Sequence, residues 1–244
     1  MRICVIGNSH AAALKSGWDR IGPDWPDRSL TFFAAIGMRL RHLQSDGAVL
    51  RSDHAALKQN MAATSGGSTE IDLSAYDLFL IAGLLLEVPL TDPRQSAAVR
   101  TFARNAARNS LAVQLARMVR KGTDRPIVLL PEPLKSASQD SEDRADRMRS
   151  VYAGEIAELN AGLDIVGARI CGQPAQTIVG GGTDAVFSRA APMLQRAVGD
   201  SVKKRAKGDD VHMNGDFGAL WLGKLFDELS DGGAGESADA TGGP

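Results

Sequence analysis

Two short stretches of the chain carry the residue types that acyl chemistry needs. Near the start, an apolar run from Ile3 to Ile6 stops abruptly at Gly7-Asn8-Ser9-His10. Near the end, in the segment Gly208–Leu222 (GDDVHMNGDFGALWL), Asp209 precedes His212 by three residues. A serine becomes a nucleophile when an imidazole takes its proton. The imidazole in turn needs a carboxylate to hold its tautomer and steady the imidazolium. A D-x-x-H loop offers base and carboxylate from one turn. Each stretch also has a plainer reading: Ser9 as the N-cap of a following helix, and the acidic loop as a solvated turn with an incidental histidine. His10 is the tempting base for Ser9. Adjacent side chains at a strand–helix junction diverge, however, so His10 is expected to line the crevice or pack locally.

The elements that would position these residues alternate. Buried-strand patterns occur at Ile3–Ile6, Leu30–Ile36, Tyr76–Ala82 and Pro126–Leu130, with a weaker fifth at Ile165–Ile170 or Thr177–Val179. Their hydrophobicity is continuous, as suits strands covered on both faces. Helical spacing appears at Ala11–Trp18, Arg94–Lys121, Ser141–Leu163 and Asp216–Leu229. The last carries an apolar stripe of Phe217, Leu220, Trp221, Leu225 and Leu229. Strands alternating with helices imply right-handed βαβ units and a parallel sheet with helices on both faces. Residues 1–229 are expected to form one domain, with an insertion at Leu43–Asp72 read as a hairpin over one edge. Residues 230–244 (SDGGAGESADATGGP) lack a hydrophobic pattern and read as a disordered tail.

Composition narrows the field. With 43% hydrophobic residues, 23% charged residues and a net charge of -1, the 244-residue chain has no bulk attraction to nucleic acid or anionic membranes. The two cysteines, Cys4 and Cys171, read as core residues. No run approaches the ~20 apolar residues of a membrane span, and no signal-peptide core is seen, so a cytoplasmic location is expected. Neither a CxxC nor an HExxH spacing occurs, and Gly7 stands without the remaining glycines of a dinucleotide fingerprint or the GK[ST] of a P-loop. No cofactor and no metal are expected. Gly180-Gly181-Gly182 reads as a loop or bulge.

GNSH after the first strand and DDVHMN before the last helix together resemble the first and last blocks of the SGNH (GDSL-type) hydrolase family. That resemblance implies a flavodoxin-like, three-layer α/β/α sandwich with a parallel sheet. It also implies Ser9 as nucleophile, His212 as general base and Asp209 as the orienting acid, with Asp210 a poorer substitute. Asn8 replaces the usual aspartate of the opening block. Gly37 matches the second-block glycine, whose amide would share the oxyanion with that of Ser9. Gly83 matches the third-block glycine, but Leu85 stands where the oxyanion asparagine belongs. Losing such a donor costs about 10²–10³ in kcat. Asn60 and Asn105 are substitutes by residue type only.

Further residues border the expected crevice. Glu132, in LLPEPL after the fourth strand, is either solvated or in contact with a substrate hydroxyl, and Gln173-Pro174 lies after the fifth strand. Trp18 and Trp25 read as packing residues rather than a sugar platform, and His42 and His54 as surface or packing residues. The expected activity is hydrolysis of an ester, with an acetyl group on a carbohydrate or small alcohol as the expected substrate. Acyl transfer by the same residues and a non-catalytic binding protein are the alternatives. The expected partner is a small-molecule or glycan ester, with no nucleic acid and no membrane.

Overall fold

The computed structural model describes residues 1–90, 96–201, 203–206 and 208–233, the side chains of 231–233 excepted. Five parallel strands form the central sheet: β1 (Arg2–Gly7), β2 (Ser29–Ala34), β3 (Leu78–Ala82), β4 (Ile127–Leu130) and β5 (Ala168–Ile170). Their spatial order is β2-β1-β3-β4-β5, the flavodoxin-like order, in which the strand order reverses between β1 and β3. Among the described residues six helices flank the sheet: α1 (Ala11–Ile21), α2 (Ala55–Ser65), α3 (Ala97–Arg108), α4 (Leu111–Arg120), α5 (Glu142–Ala161) and α6 (Gly215–Gly233).

The period-two geometry of the strands divides their side chains between two cores. Ile3, Val5, Phe32, Leu78, Leu80 and Val128 face one side, where they meet Leu14 of α1 and Phe217, Trp221 and Phe226 of α6. Cys4, Ile6, Phe33, Phe79, Ile81 and Leu129 face the other, against Leu57 and Met61 of α2, Leu115 and Val119 of α4, and Tyr152 and Leu159 of α5. The expected three-layer α/β/α sandwich is therefore present. Each fully buried aromatic or leucine contributes about 1.5–3 kcal/mol.

Helices α1 and α6 approach unusually closely. A Cβ on Gly218 would lie 2.0 Å from the Ala13 carbonyl, and one on Gly17 would lie 2.3 Å from the Ala219 amide. Only glycine permits this backbone contact. It matters because α1 follows Ser9 and α6 follows His212, so the glycine contact sets the spacing of the two segments.

Several boundaries differ from those expected. The insertion does contain a hairpin, Gln44–Ser45 with Val49–Arg51, joined by Ile71–Asp72 into a small sheet. It also contains α2, whose apolar positions are too sparse to read from sequence. The expected Arg94–Lys121 helix begins outside the described residues and is divided into α3 and α4. Ser110 caps the second half by accepting the Val113 amide. Of the two candidate fifth strands, Ala168–Ile170 joins the main sheet. Ile178–Val179 pairs instead with Gly182–Asp184, and Gly180 and Gly181 form the turn between them. Helix α6 continues to Gly233, four residues past Leu229. The rest of the expected tail lies outside the described residues. Both cysteines are buried and unbridged. Among the described residues, no helix is long and apolar enough to cross a membrane.

Candidate active site

Ser9 stands just beyond the carboxyl end of β1, at the point where the strand order reverses. Crevices for ligands form at such points in open α/β sheets. The turn is tight because Gly7 has no side chain: a Cβ there would lie 3.0 Å from the Ala82 carbonyl and 3.1 Å from Ala11 Cβ. Asn8 shapes the next step by accepting the His10 amide on Oδ1 at 3.1 Å. Helix α1 begins after His10 and has no side-chain cap, so Ser9 is not spent on capping. Its Oγ lies instead 2.8 Å from Nε2 of His212, across 203 positions of sequence.

His212 is held from behind. Its Nδ1 lies 3.0 and 3.1 Å from the two carboxylate oxygens of Asp209. The same carboxylate accepts the His212 amide at 2.9 Å and the Val211 amide at 3.1 Å. Burial alone would raise the Asp209 pKa. These bonds outweigh it and bring the pKa down to about 2. Asp209 is thus ionised throughout the neutral range, and Arg205 Nη1 approaches it at 3.3 Å. The neighbouring Asp210 is exposed, and its backbone carbonyl accepts the Ser136 amide. For His212 itself, burial lowers the pKa, partly countered by the hydrogen bond to Asp209. A neutral imidazole with Nδ1–H directed at Asp209 presents a bare Nε2 to Ser9, the state a general base requires.

The loop bearing Asp209 and His212 is fixed by Asn214, which sequence reasoning passed over. Its side-chain oxygen accepts the Asp216 and Phe217 amides and so caps α6. Its Nδ2 donates to the carbonyls of Val186 and Arg189. An asparagine directly before an apolar helical stripe was the available signal.

His10 does not pair with Ser9. Its ring stacks on that of His212, with centroids 4.9 Å apart and planes 17° from parallel. Burial, then the positive potential of His212 and Arg205, pushes its pKa down to about 3. His10 is therefore a neutral plate on which the His212 imidazole rests.

Glu132 is only 15% exposed at its side chain, so it is not the solvated loop residue that was one expectation for it. One carboxylate oxygen accepts Asn8 Nδ2 at 3.2 Å and the Leu85 amide at 2.9 Å. It ties the turn after β1 to the turn after β3.

That second turn is strained. Gly83, Leu84 and Leu85 have φ of 72°, 60° and 62°, and each leucine in this left-handed region costs about 1–2 kcal/mol. Several contacts hold it. Leu84 and Leu86 are fully buried, the Leu84 carbonyl accepts the Ala112 amide at 3.1 Å, and the Leu86 carbonyl accepts the Glu132 amide at 2.8 Å. Burial of two leucines at about 2 kcal/mol each offsets the strain. Gly83 has no room for a side chain, since a Cβ would lie 2.5 Å from Asn8 Oδ1.

The remaining oxyanion candidates are main-chain groups. Gly37 follows β2, and Gly7 pairs with Ala34 on that strand as it pairs with Ala82 on β3. The Gly37 and Ser9 segments thus leave the sheet side by side. Among the described residues neither the Ser9 nor the Gly37 amide has a hydrogen-bond acceptor. Asn60 is buried and engaged elsewhere, with Arg39 and the Arg196 carbonyl, while Asn105 is exposed on α3.

Other sequence candidates have structural duties. Gln173 is buried and donates to Thr177 and Thr183 while accepting the Leu134 amide. Trp18 and Trp25 pack edge-on against Phe226. His42 and His54 stack on each other, and His54 caps α2. A cavity of about 200 Å³ runs beside α1, lined by Ala11, Ala12, Phe32, Thr64 and Leu194 among others, and neither Ser9 nor His212 lines it.

No family model matches the sequence, and no curated protein matches it. Among solved structures, the periplasmic domain of a lipopolysaccharide acetyltransferase from Salmonella ser. Paratyphi A is similar with a TM-score of 0.46. It is 11% identical over 94% of this chain and 83% of that one. A water-forming NADH oxidase from Lactobacillus brevis, bound to NADH, gives a TM-score of 0.18 at 11% identity, covering 70% of this chain and 46% of that one. Neither likeness assigns an activity to this chain.

Proposed function

We propose that this protein is a serine hydrolase of carboxylic esters, in the manner of SGNH hydrolases. Ser9 Oγ attacks the ester carbonyl while its proton passes to His212 Nε2, and Asp209 steadies the imidazolium that forms. The tetrahedral oxyanion is met by the amides of Ser9 and Gly37. Collapse expels the alcohol, which takes the proton from His212, and water then attacks the acyl-Ser9 ester with His212 again as base. Acetyl esters of carbohydrates and small alcohols are the smallest substrates of this chemistry. Transfer to another acceptor would share its first half.

The observation that supports this reading most is the unbroken hydrogen-bond chain Ser9–His212–Asp209, built from residues some two hundred positions apart. Incidental polar contacts do not usually assemble in this order at a strand-order reversal. A second reading, a binding protein without catalysis, is favoured by one observation: Leu85 occupies the place of an oxyanion asparagine.

Hydrolysis of p-nitrophenyl esters by wild type, Ser9→Ala and His212→Ala separates the two. The hydrolase reading expects turnover in wild type and a loss of about 10⁴-fold or more in each variant. Turnover unaffected by Ser9→Ala would remove Ser9 from the chemistry. Absence of turnover on short and long esters alike would favour the binding protein.

A further inference from the structure

The turn after β3 does something costly and specific. Of three successive leucines, Leu84 and Leu86 are fully buried, whereas Leu85 is 49% exposed. The left-handed backbone at Leu84 and Leu85 drives this alternation. Strain of this kind persists where surrounding contacts over-determine it, and it concentrates at functional sites. Here the result is an apolar side chain held out at the carboxyl end of the sheet. Leu85 is also next to the nucleophile turn, because its amide and the Asn8 side chain share one oxygen of Glu132.

The opposite flank matches. Met38, following Gly37 at the end of β2, is 37% exposed. The order β2-β1-β3 places the Ser9 turn between the Met38 and Leu85 segments. Of the Glu132 carboxylate, Oε1 is committed to Asn8 and Leu85, and Oε2 lies 3.8 Å from His10 Nε2.

We propose that Leu85 and Met38 form an apolar rim that selects esters with an unbranched acyl chain longer than acetyl. The inference rests on the serine hydrolase reading and replaces acetate as the preferred acyl group. Six additional methylenes separate octanoate from acetate, and each fully buried one is worth about fourfold. Contact with a half-exposed rim recovers part of this, giving an expected octanoate preference of about tenfold in kcat/KM.

The test compares p-nitrophenyl acetate, butyrate and octanoate, below micelle formation, with wild type, Leu85→Ala, Leu85→Met and Met38→Ala. Leu85→Ala is expected to cut the octanoate-to-acetate ratio about fivefold, mainly through the KM for octanoate. Leu85→Met is expected to retain the ratio. In parallel, calorimetry follows binding of free octanoate and free acetate to Ser9→Ala with and without Leu85→Ala. Ser9-dependent turnover with a ratio that ignores Leu85 would overturn the rim and leave the hydrolase standing. No turnover, with octanoate binding lost in Leu85→Ala, would remove the hydrolase and keep the apolar site. Failure of both turnover and octanoate binding would overturn both.

Discussion

Two turns leave adjacent strands at the same level of the sheet, and they are built by opposite means. The turn after β1, Gly7-Asn8-Ser9-His10, has no residue in the left-handed region, and two of its polar side chains are hydrogen-bonded: Asn8 with Glu132 and the His10 amide, Ser9 with His212. The turn after β3 holds three successive residues at positive φ and presents an exposed leucine. The first turn uses side chains to aim a hydroxyl. The second uses core burial to hold a strained backbone, and Glu132 joins the two through one oxygen. On the proposed function, the relaxed turn does the chemistry and the strained one meets the substrate.

The comparison breaks most sharply at the carboxylate behind the first turn. Asp209→Asn keeps the shape but loses the charge that fixes the His212 tautomer, and an amide there can turn its NH₂ toward the ring. Steady-state kinetics should show kcat reduced about 10⁴-fold. A reduction under tenfold would mean that Asp209 serves only the loop. The next largest effect lies where the two turns touch. Gly83→Ala would press a methyl against Asn8 at a backbone that favours glycine. Denaturant unfolding should show a loss of about 2–4 kcal/mol, with activity falling as Asn8 is displaced. Unchanged stability would show that the turns are not coupled.

Leu85→Asn sharpens the contrast from the strained side. Asparagine tolerates the left-handed region better than leucine, so the variant should gain about 0.5 kcal/mol in unfolding. It also returns an amide to the oxyanion side, so kcat on acetate esters should rise about tenfold. A fall in both quantities would contradict the assignment of the two turns.

The smallest expected effect is a pH shift. Inactive His212 is the protonated form, so kcat/KM rises with pH through the His212 pKa, which burial lowers below 6.5. Arg205 adds to that lowering. In Arg205→Gln the rising limb should therefore move to higher pH, and a shift to lower pH would contradict the electrostatics.

The strands and the nucleophile turn were legible because continuous apolar runs and a glycine-led break are local signals. That Ser9, His212 and Asp209 would come together was legible from the D-x-x-H spacing and the resemblance to SGNH hydrolases, and the hydrogen bonds between them follow that expectation. Glu132, by contrast, has no periodic or motif signal: its role arises from an Asn8 side chain and a Leu85 amide that only the sheet order brings together. His10 was expected to line the crevice or pack, but its stacking partner lies 202 positions away. Helix α2 escaped notice because its buried set is small, with Leu57, Asn60 and Met61 in eleven residues. The exposure of Leu85 was hidden for a different reason. Three leucines in a row carry no signal of which one faces out, and the backbone dihedrals turn the middle one outward.

The central claim, that Ser9 is a nucleophile activated from the far end of the chain, is tested most directly by covalent labelling. A fluorophosphonate probe followed by peptide mass spectrometry should place the adduct on Ser9 in wild type. It should find none in Ser9→Ala and strongly slowed labelling in His212→Ala. An adduct on another residue that survives Ser9→Ala, or a protein that resists the probe altogether, would contradict the account.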